Sequence, residues 1–171
     1  MTQYSKRMVI VHWLSLALLI AAWLLGENLD EARHEGGASL AGYLAHALVG
    51  GAILLLTVAR LSFRRKDGVP APLGNTPADK LATLIQSGIY LVMLLLTISG
   101  MVIMVTSDVG KALLTGDATL LPANFHGVFA HEVHEVLVTV LIAAVAVHLL
   151  GALKHKFIMK DGLMDRMWLG K

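Results

Sequence analysis

The chain has 171 residues, 56% of them hydrophobic and 15% charged, with a mean hydropathy of +0.70, a balance outside that of soluble globular domains that makes lipid its main solvent. It contains no cysteine, which excludes disulfides, iron–sulfur clusters and thiolate ligation, so any metal chemistry rests on histidine, carboxylate or methionine. The formal charge of +2 comes from basic residues beside apolar runs, not interleaved with exposed aromatics, and so marks membrane topology and excludes a nucleic-acid partner.

Four apolar stretches, at 8–25, 43–60, 81–105 and 133–153, each approach the roughly 20 residues that cross a bilayer as a helix. The first follows Lys6 and Arg7 as a signal peptide would. It is too long for the apolar region of one, and Gly26-Glu27-Asn28 lacks a small-residue cleavage pattern, so it is read as a retained helix. Between the second and third stretches, Gly68, Pro70, Pro72, Gly74 and Pro77 predict an extended linker. The connection after Val105 is longer and polar, with Gly110, Gly116, Pro122 and Gly127, and is expected to carry a short helix or form a lid. No internal repeat is evident. The fold class is all-α, a four-transmembrane-helix bundle forming a single domain over 1–171.

Charge alternates between the connections. Lys6, Arg7, Arg60, Arg64, Arg65, Lys66, Lys80, Lys154, Lys156, Lys160, Arg166 and Lys171 put twelve of fourteen basic residues on one side. The other side holds only Arg33 and Lys111, against Glu27, Asp30, Glu31, Glu35, Asp108, Asp117, Glu132 and Glu135. The positive-inside rule then makes both termini and the middle connection cytoplasmic.

Eight histidines stand in this apolar chain, and His12, His46, His134 and His148 fall within the predicted spans. Ionisable groups inside a membrane are costly and mark function, although a histidine hydrogen-bonded across helices is the plainer alternative for any one of them. Depth sorts the four into two pairs. His12 lies five residues after Arg7 and His148 six before Lys154, so these two share a level near the cytoplasmic boundary, whereas His46 and His134 share the outer level. Fourteen residues separate His134 from His148, four turns that return to nearly the same helix face and rise about 21 Å. That is too far for one metal centre and suited to two stacked sites. Two histidines at each level match six-coordinate haem iron with both axial positions filled, while a histidine-only zinc site wants three or four ligands at one level. Gly42, Gly50, Gly51, Ala143, Ala144 and Ala146 leave room for a macrocycle, or equally for close helix packing. Zinc remains open at the outer edge, where His131, Glu132, His134 and Glu135 cluster, but His131-Glu132-Val133-His134 has its second histidine at i+3 where a metalloprotease needs i+4. His34 and His126 are read as solvated. His131 is left as a supporting partner, a reserve ligand or an interfacial residue.

The pattern resembles the bacterial cytochrome b561 family of di-haem membrane cytochromes. It is carried by Val11-His12-Trp13, by His46 with the Arg60-Leu61 exit, by His134-Glu135, and by His148 and His155 with Lys160-Asp161. The resemblance covers nearly the whole chain and implies two haem b groups, the inner on His12 and His148 and the outer on His46 and His134. It further implies an iron-dependent electron-transport protein of the bacterial inner membrane, surrounded by lipid, that oxidises superoxide at its outer face and reduces ubiquinone. His155 matches the place of a quinone contact; the alternative is a snorkelling interfacial histidine. Arg60 is placed to pair with a haem propionate, or to anchor its helix at the headgroups. Trp13 is expected to pack on the inner haem and Trp23 to sit in the interfacial belt. The third helix has no histidine and is read as scaffold. The outer connections are acidic overall, the reverse of what gathers an anion, which leaves Arg33 and Lys111 to flank a local entrance. Two rivals stay in view: an anchor subunit passing electrons between quinone and a partner dehydrogenase or hydrogenase, and a haem-free bundle. Homo-oligomerisation is left open by the sequence.

Overall fold

The computed structural model describes residues 3–72 and 74–169, so Lys171, counted above among the inner basic residues, lies outside them. Its helices are α1 (Lys6–His34), α2 (Leu40–Asp67), α3 (Pro77–Thr106), the short α4 (Val109–Thr115) and α5 (Phe129–Leu153), and no strand occurs among the described residues. Beyond Leu153 the chain continues as a wider π-type turn, Lys154–Met159, and then a 3₁₀ turn, Leu163–Met167. Four of these helices are long and apolar enough to cross a membrane, and the chain is a multi-pass membrane protein.

The helices outrun the apolar stretches that announce them. With 29 residues, α1 is about 44 Å long, the thickness of a bilayer with its headgroups and not of the hydrocarbon alone. The polar segment from Gly26 to His34 therefore stays helical, as do Arg64, Arg65 and Lys66 at the end of α2. Helix starts are marked chemically. The linker ends where Thr76 accepts from the Asp79 amide at 3.3 Å and the Asp79 carboxylate accepts from the Thr76 amide at 2.9 Å, a capping box with Pro77 in the first turn. The Ser39 hydroxyl accepts from the Gly42 amide and opens α2.

Packing is closest within two pairs, α1 with α2 and α3 with α5, and the halves so formed meet along α2 and α3. Ile53, Met93 and Leu141 form the centre, with Leu18, Leu19, Val49 and Val92 around them. Leu141 is seven residues from both His134 and His148, and Ile53 is seven beyond His46. The apolar layer therefore lies midway between the two histidine levels.

At one end, Arg7 and Ser5 both bond the Asp67 carboxylate, joining the start of α1 to the end of α2. There the Tyr4 amide donates to the Arg166 carbonyl at 3.2 Å, the Arg166 guanidinium to the Ala71 carbonyl at 2.7 Å, and the Trp13 indole to the Met167 carbonyl at 3.0 Å. The chain start, middle connection and tail thus gather at a single end. At the opposite end the connection after α3 contains the expected short helix, α4, and a 3₁₀ turn at Ala118–Leu120. There Gly110 lies directly on the Met104 carbonyl.

Candidate functional site

The two histidine pairs inferred from depth are pairs in space. The rings of His12 on α1 and His148 on α5 have centres 6.3 Å apart, with planes at 82°. Those of His46 on α2 and His134 on α5 are also 6.3 Å apart, at 65°. Each pair joins one half of the bundle to the other, and α5 contributes to both, as the fourteen-residue spacing requires.

The outer pair is seated by matching notches. Gly26 on α1 faces His46, and Gly100 on α3 faces His134; a Cβ at either would stand 3.4 Å from the ring's Cε1. Each glycine lies four residues after a carbonyl that faces the same ring, Ala22 for His46 and Leu96 for His134. Beyond that carbonyl, the buried Nδ1 of His46 has no hydrogen-bond partner. His134 differs in having Ser99, whose Oγ is 2.9 Å from Nδ1 and donates to the Leu96 carbonyl at 2.8 Å. The third helix is therefore more than scaffold, because Ser99 and Gly100 shape the bed of His134.

At the inner pair, the Arg60 guanidinium lies 2.7 Å from His12 Nδ1 and 5.5 Å from the centre of the Tyr90 ring. It is turned into the bundle, not toward headgroups, and its Nε is buried without a partner. A guanidinium only donates, so in this arrangement His12 Nδ1 accepts and the ring proton belongs on Nε2. For a neutral His12 to offer Nε2 to a metal, Arg60 must turn to another acceptor. Among the described residues no carboxylate stands within ion-pair distance of it. A half-buried cation with no carboxylate beside it calls for an anion, and a haem carboxylate is one.

The separation of the pairs tests the implied cofactor directly. A metal–imidazole bond is about 2 Å and the ring centre lies about 1 Å beyond the nitrogen, so two imidazoles on opposite sides of one metal have centres roughly 6 Å apart. Both pairs meet that requirement. No larger group of histidine and carboxylate side chains gathers as a metal site among the described residues, so each level offers two ligands, the number that haem iron takes. The residues present fit haem.

Other polar residues fall elsewhere. His131 stacks on Phe125, centres 4.5 Å apart, with Nδ1 3.7 Å from a Glu135 oxygen. Arg33 covers the other side of the cluster, 5.0 Å above the Phe125 ring, and pairs with Asp30. His34 lies in the last turn of α1, bonded to the Asp30 carbonyl, and His126 is exposed. Trp13 meets the His12 ring edge-on at 5.3 Å while its indole holds the tail. His155 stands near the start of the π-type turn, whose last bond runs from the Lys160 amide to the His155 carbonyl at 2.8 Å. It bonds Asp161, Nδ1 to Oδ2 2.6 Å, and this bond holds the Asp161 carboxyl below the usual carboxylate range. Beside them is a cleft of about 210 Å³ lined by His155, Lys156, Lys160 and Leu163.

Comparison with known proteins meets this geometry. The family model of prokaryotic cytochrome b561 matches residues 3–170. A protein of Cereibacter sphaeroides named cytochrome b562 is 30% identical over 168 residues, covering 96% of this chain and 94% of its own. Cytochrome b561 homolog 2 of Escherichia coli K12 is 30% identical over 168 residues, covering 94% and 87%. The helices, their histidines and these matches agree: the chain belongs to the prokaryotic cytochrome b561 family, membrane cytochromes that transfer electrons on haem b.

Proposed function

We propose that the chain carries electrons across the bacterial inner membrane on two haem b groups, oxidising superoxide at the outer face and reducing ubiquinone toward the cytoplasmic one. The reading is carried by the two histidine pairs, at two depths, with the same 6.3 Å separation. His12 and His148 would hold the inner haem, and His46 and His134 the outer. Arg60, half-buried without a carboxylate partner, would meet a propionate of the inner one. When bound, haem would supply one-electron chemistry between its two oxidation states.

The chain's own residues do the rest. Ile53, Met93 and Leu141 fill the layer between the levels and exclude water from it. At the outer end, Lys111 and Arg33, the latter paired with Asp30, are the basic residues that would flank an entrance for a small anion. Arg33 packs over Phe125, which stacks on His131 one turn before His134. At the inner end His155, oriented by Asp161 beside an open cleft, suits contact with a quinone head group. In the net reaction two superoxide ions lose one electron each and leave as dioxygen, while ubiquinone takes two electrons and two protons to become ubiquinol. The basic end would lie in the cytoplasm.

The test is haem quantified per chain in the purified protein and in His148→Ala, followed by superoxide-driven reduction of ubiquinone. Two haems in the parent and one in the variant are expected, with quinone reduction lost in the variant. A parent with two haems that leaves ubiquinone oxidised under a superoxide flux would retain the electron carrier and refute the substrates.

A further inference from the structure

The two notches at the outer level share one pattern, a carbonyl followed four residues later by glycine: Ala22 and Gly26 against His46, Leu96 and Gly100 against His134. They differ at the residue just before the glycine. In α1 it is Leu25, and in α3 it is Ser99. Ser99 is 7% exposed and has a single proton, for which the Leu96 carbonyl stands 2.8 Å away. With that proton given to Leu96, Oγ offers His134 Nδ1 only lone pairs across 2.9 Å. Nδ1 must then carry the ring proton, which leaves the lone pair on Nε2. The reverse arrangement, with Ser99 donating to Nδ1, would place the ring proton on Nε2 and forbid ligation there.

We infer that Ser99 is a positioning residue that fixes the ligating tautomer of His134 and lowers the potential of the outer haem relative to the inner, giving electron transfer its direction. This rests on the two-haem reading above. An acceptor at Nδ1–H makes imidazole a stronger electron donor through Nε2 and favours the oxidised metal. The inner level has a partner of the opposite kind: Arg60, 2.7 Å from His12 here and turned to a propionate when haem is bound, stays cationic and is never an acceptor, which opposes added positive charge on a neighbouring metal. One buried hydroxyl and one half-buried guanidinium thus bias the two levels in opposite senses, and electrons run downhill from the outer to the inner.

The test is an optical redox titration of the purified holoprotein, with haem counted per chain, for the parent, Ser99→Ala, Ser99→Val and Ser99→Thr. Threonine and valine have the same shape and differ by the hydroxyl. In the Ala and Val variants the lower-potential component should rise by about tenfold in its reduction equilibrium, roughly 59 mV for one electron, and its low-spin electron paramagnetic resonance signal should move. Ser99→Thr should titrate as the parent, and Arg60→Gln should lower the other component. Loss of one haem in Ala and Val with retention in Thr supports the same role. Identical titrations of Thr and Val overturn the inference, as does a shift by Ser99 variants of the component that Arg60→Gln moves. A parent with fewer than two haems overturns the function proposed above, and this inference with it.

Discussion

At His134 two adjacent residues of α3 make separate contributions, one chemical and one spatial. Ser99 determines which nitrogen bears the proton, while Gly100 lets the ring edge lie against the helix backbone, with 3.4 Å between a Cβ built there and Cε1. An alanine at that distance makes ordinary contact, whereas a longer side chain must displace the ring. Gly100→Leu and Gly26→Leu should each reduce haem from two per chain to about one, with the alanine variants near the parent, read from the reduced absorbance of purified protein. At the inner interface His155 donates to Asp161 at 2.6 Å, and the Leu163 amide to the same carboxylate at 3.1 Å. Because folding depresses the Asp161 pKa, its contribution is complete above the ordinary carboxylate value of about 4 and disappears as pH falls through the depressed one. Hydrogen exchange over residues 160–169, corrected for intrinsic rates, should therefore show protection at pH 5 that fades below about pH 4. Asp161→Asn should lack that protection at both.

Among the elements, α4 is anchored by the tightest backbone approach at a glycine, Gly110 on the Met104 carbonyl of α3. Gly110→Ala must part α4 from α3 and should cost about 1–3 kcal/mol, seen as faster loss of haem absorbance on heating in detergent. The spans and the pairing of histidines were legible in the sequence because membrane thickness sets both: apolar length gives the helix, and distance from the charged flank gives the depth of His12, His46, His134 and His148. Ser99 and Gly100 were not. A serine and a glycine in an apolar helix acquire meaning only once the register of α3 against α5 is known, and interhelical register depends on packing that no single-helix pattern encodes. The inward turn of Arg60 was likewise hidden, since a basic residue near a helix end reads the same whether its side chain goes to headgroups or to a neighbour. The π-type turn at Lys154–Met159 was not foreseen, because a local widening of the spiral leaves no mark in a hydropathy pattern.

For the whole molecule, the meeting of Tyr4, Ala71 and Arg166 at one end makes orientation a sharp question. The natural absence of cysteine allows it to be asked with single substitutions. Glu35→Cys should react with an impermeant maleimide in intact cells once the outer membrane is opened, and Lys66→Cys only after the inner membrane is breached; the opposite result would invert the orientation. The division into α1–α2 and α3–α5 halves has a consequence for biogenesis. Because His12 and His148, and likewise His46 and His134, reach across that division, a haem held by either pair would act as a rivet between the two halves. A chain made under haem starvation would keep only the α2–α3 seam and the contacts at its ends to hold its halves together, so cofactor supply would become the checkpoint that separates a protein to be kept from one to be degraded.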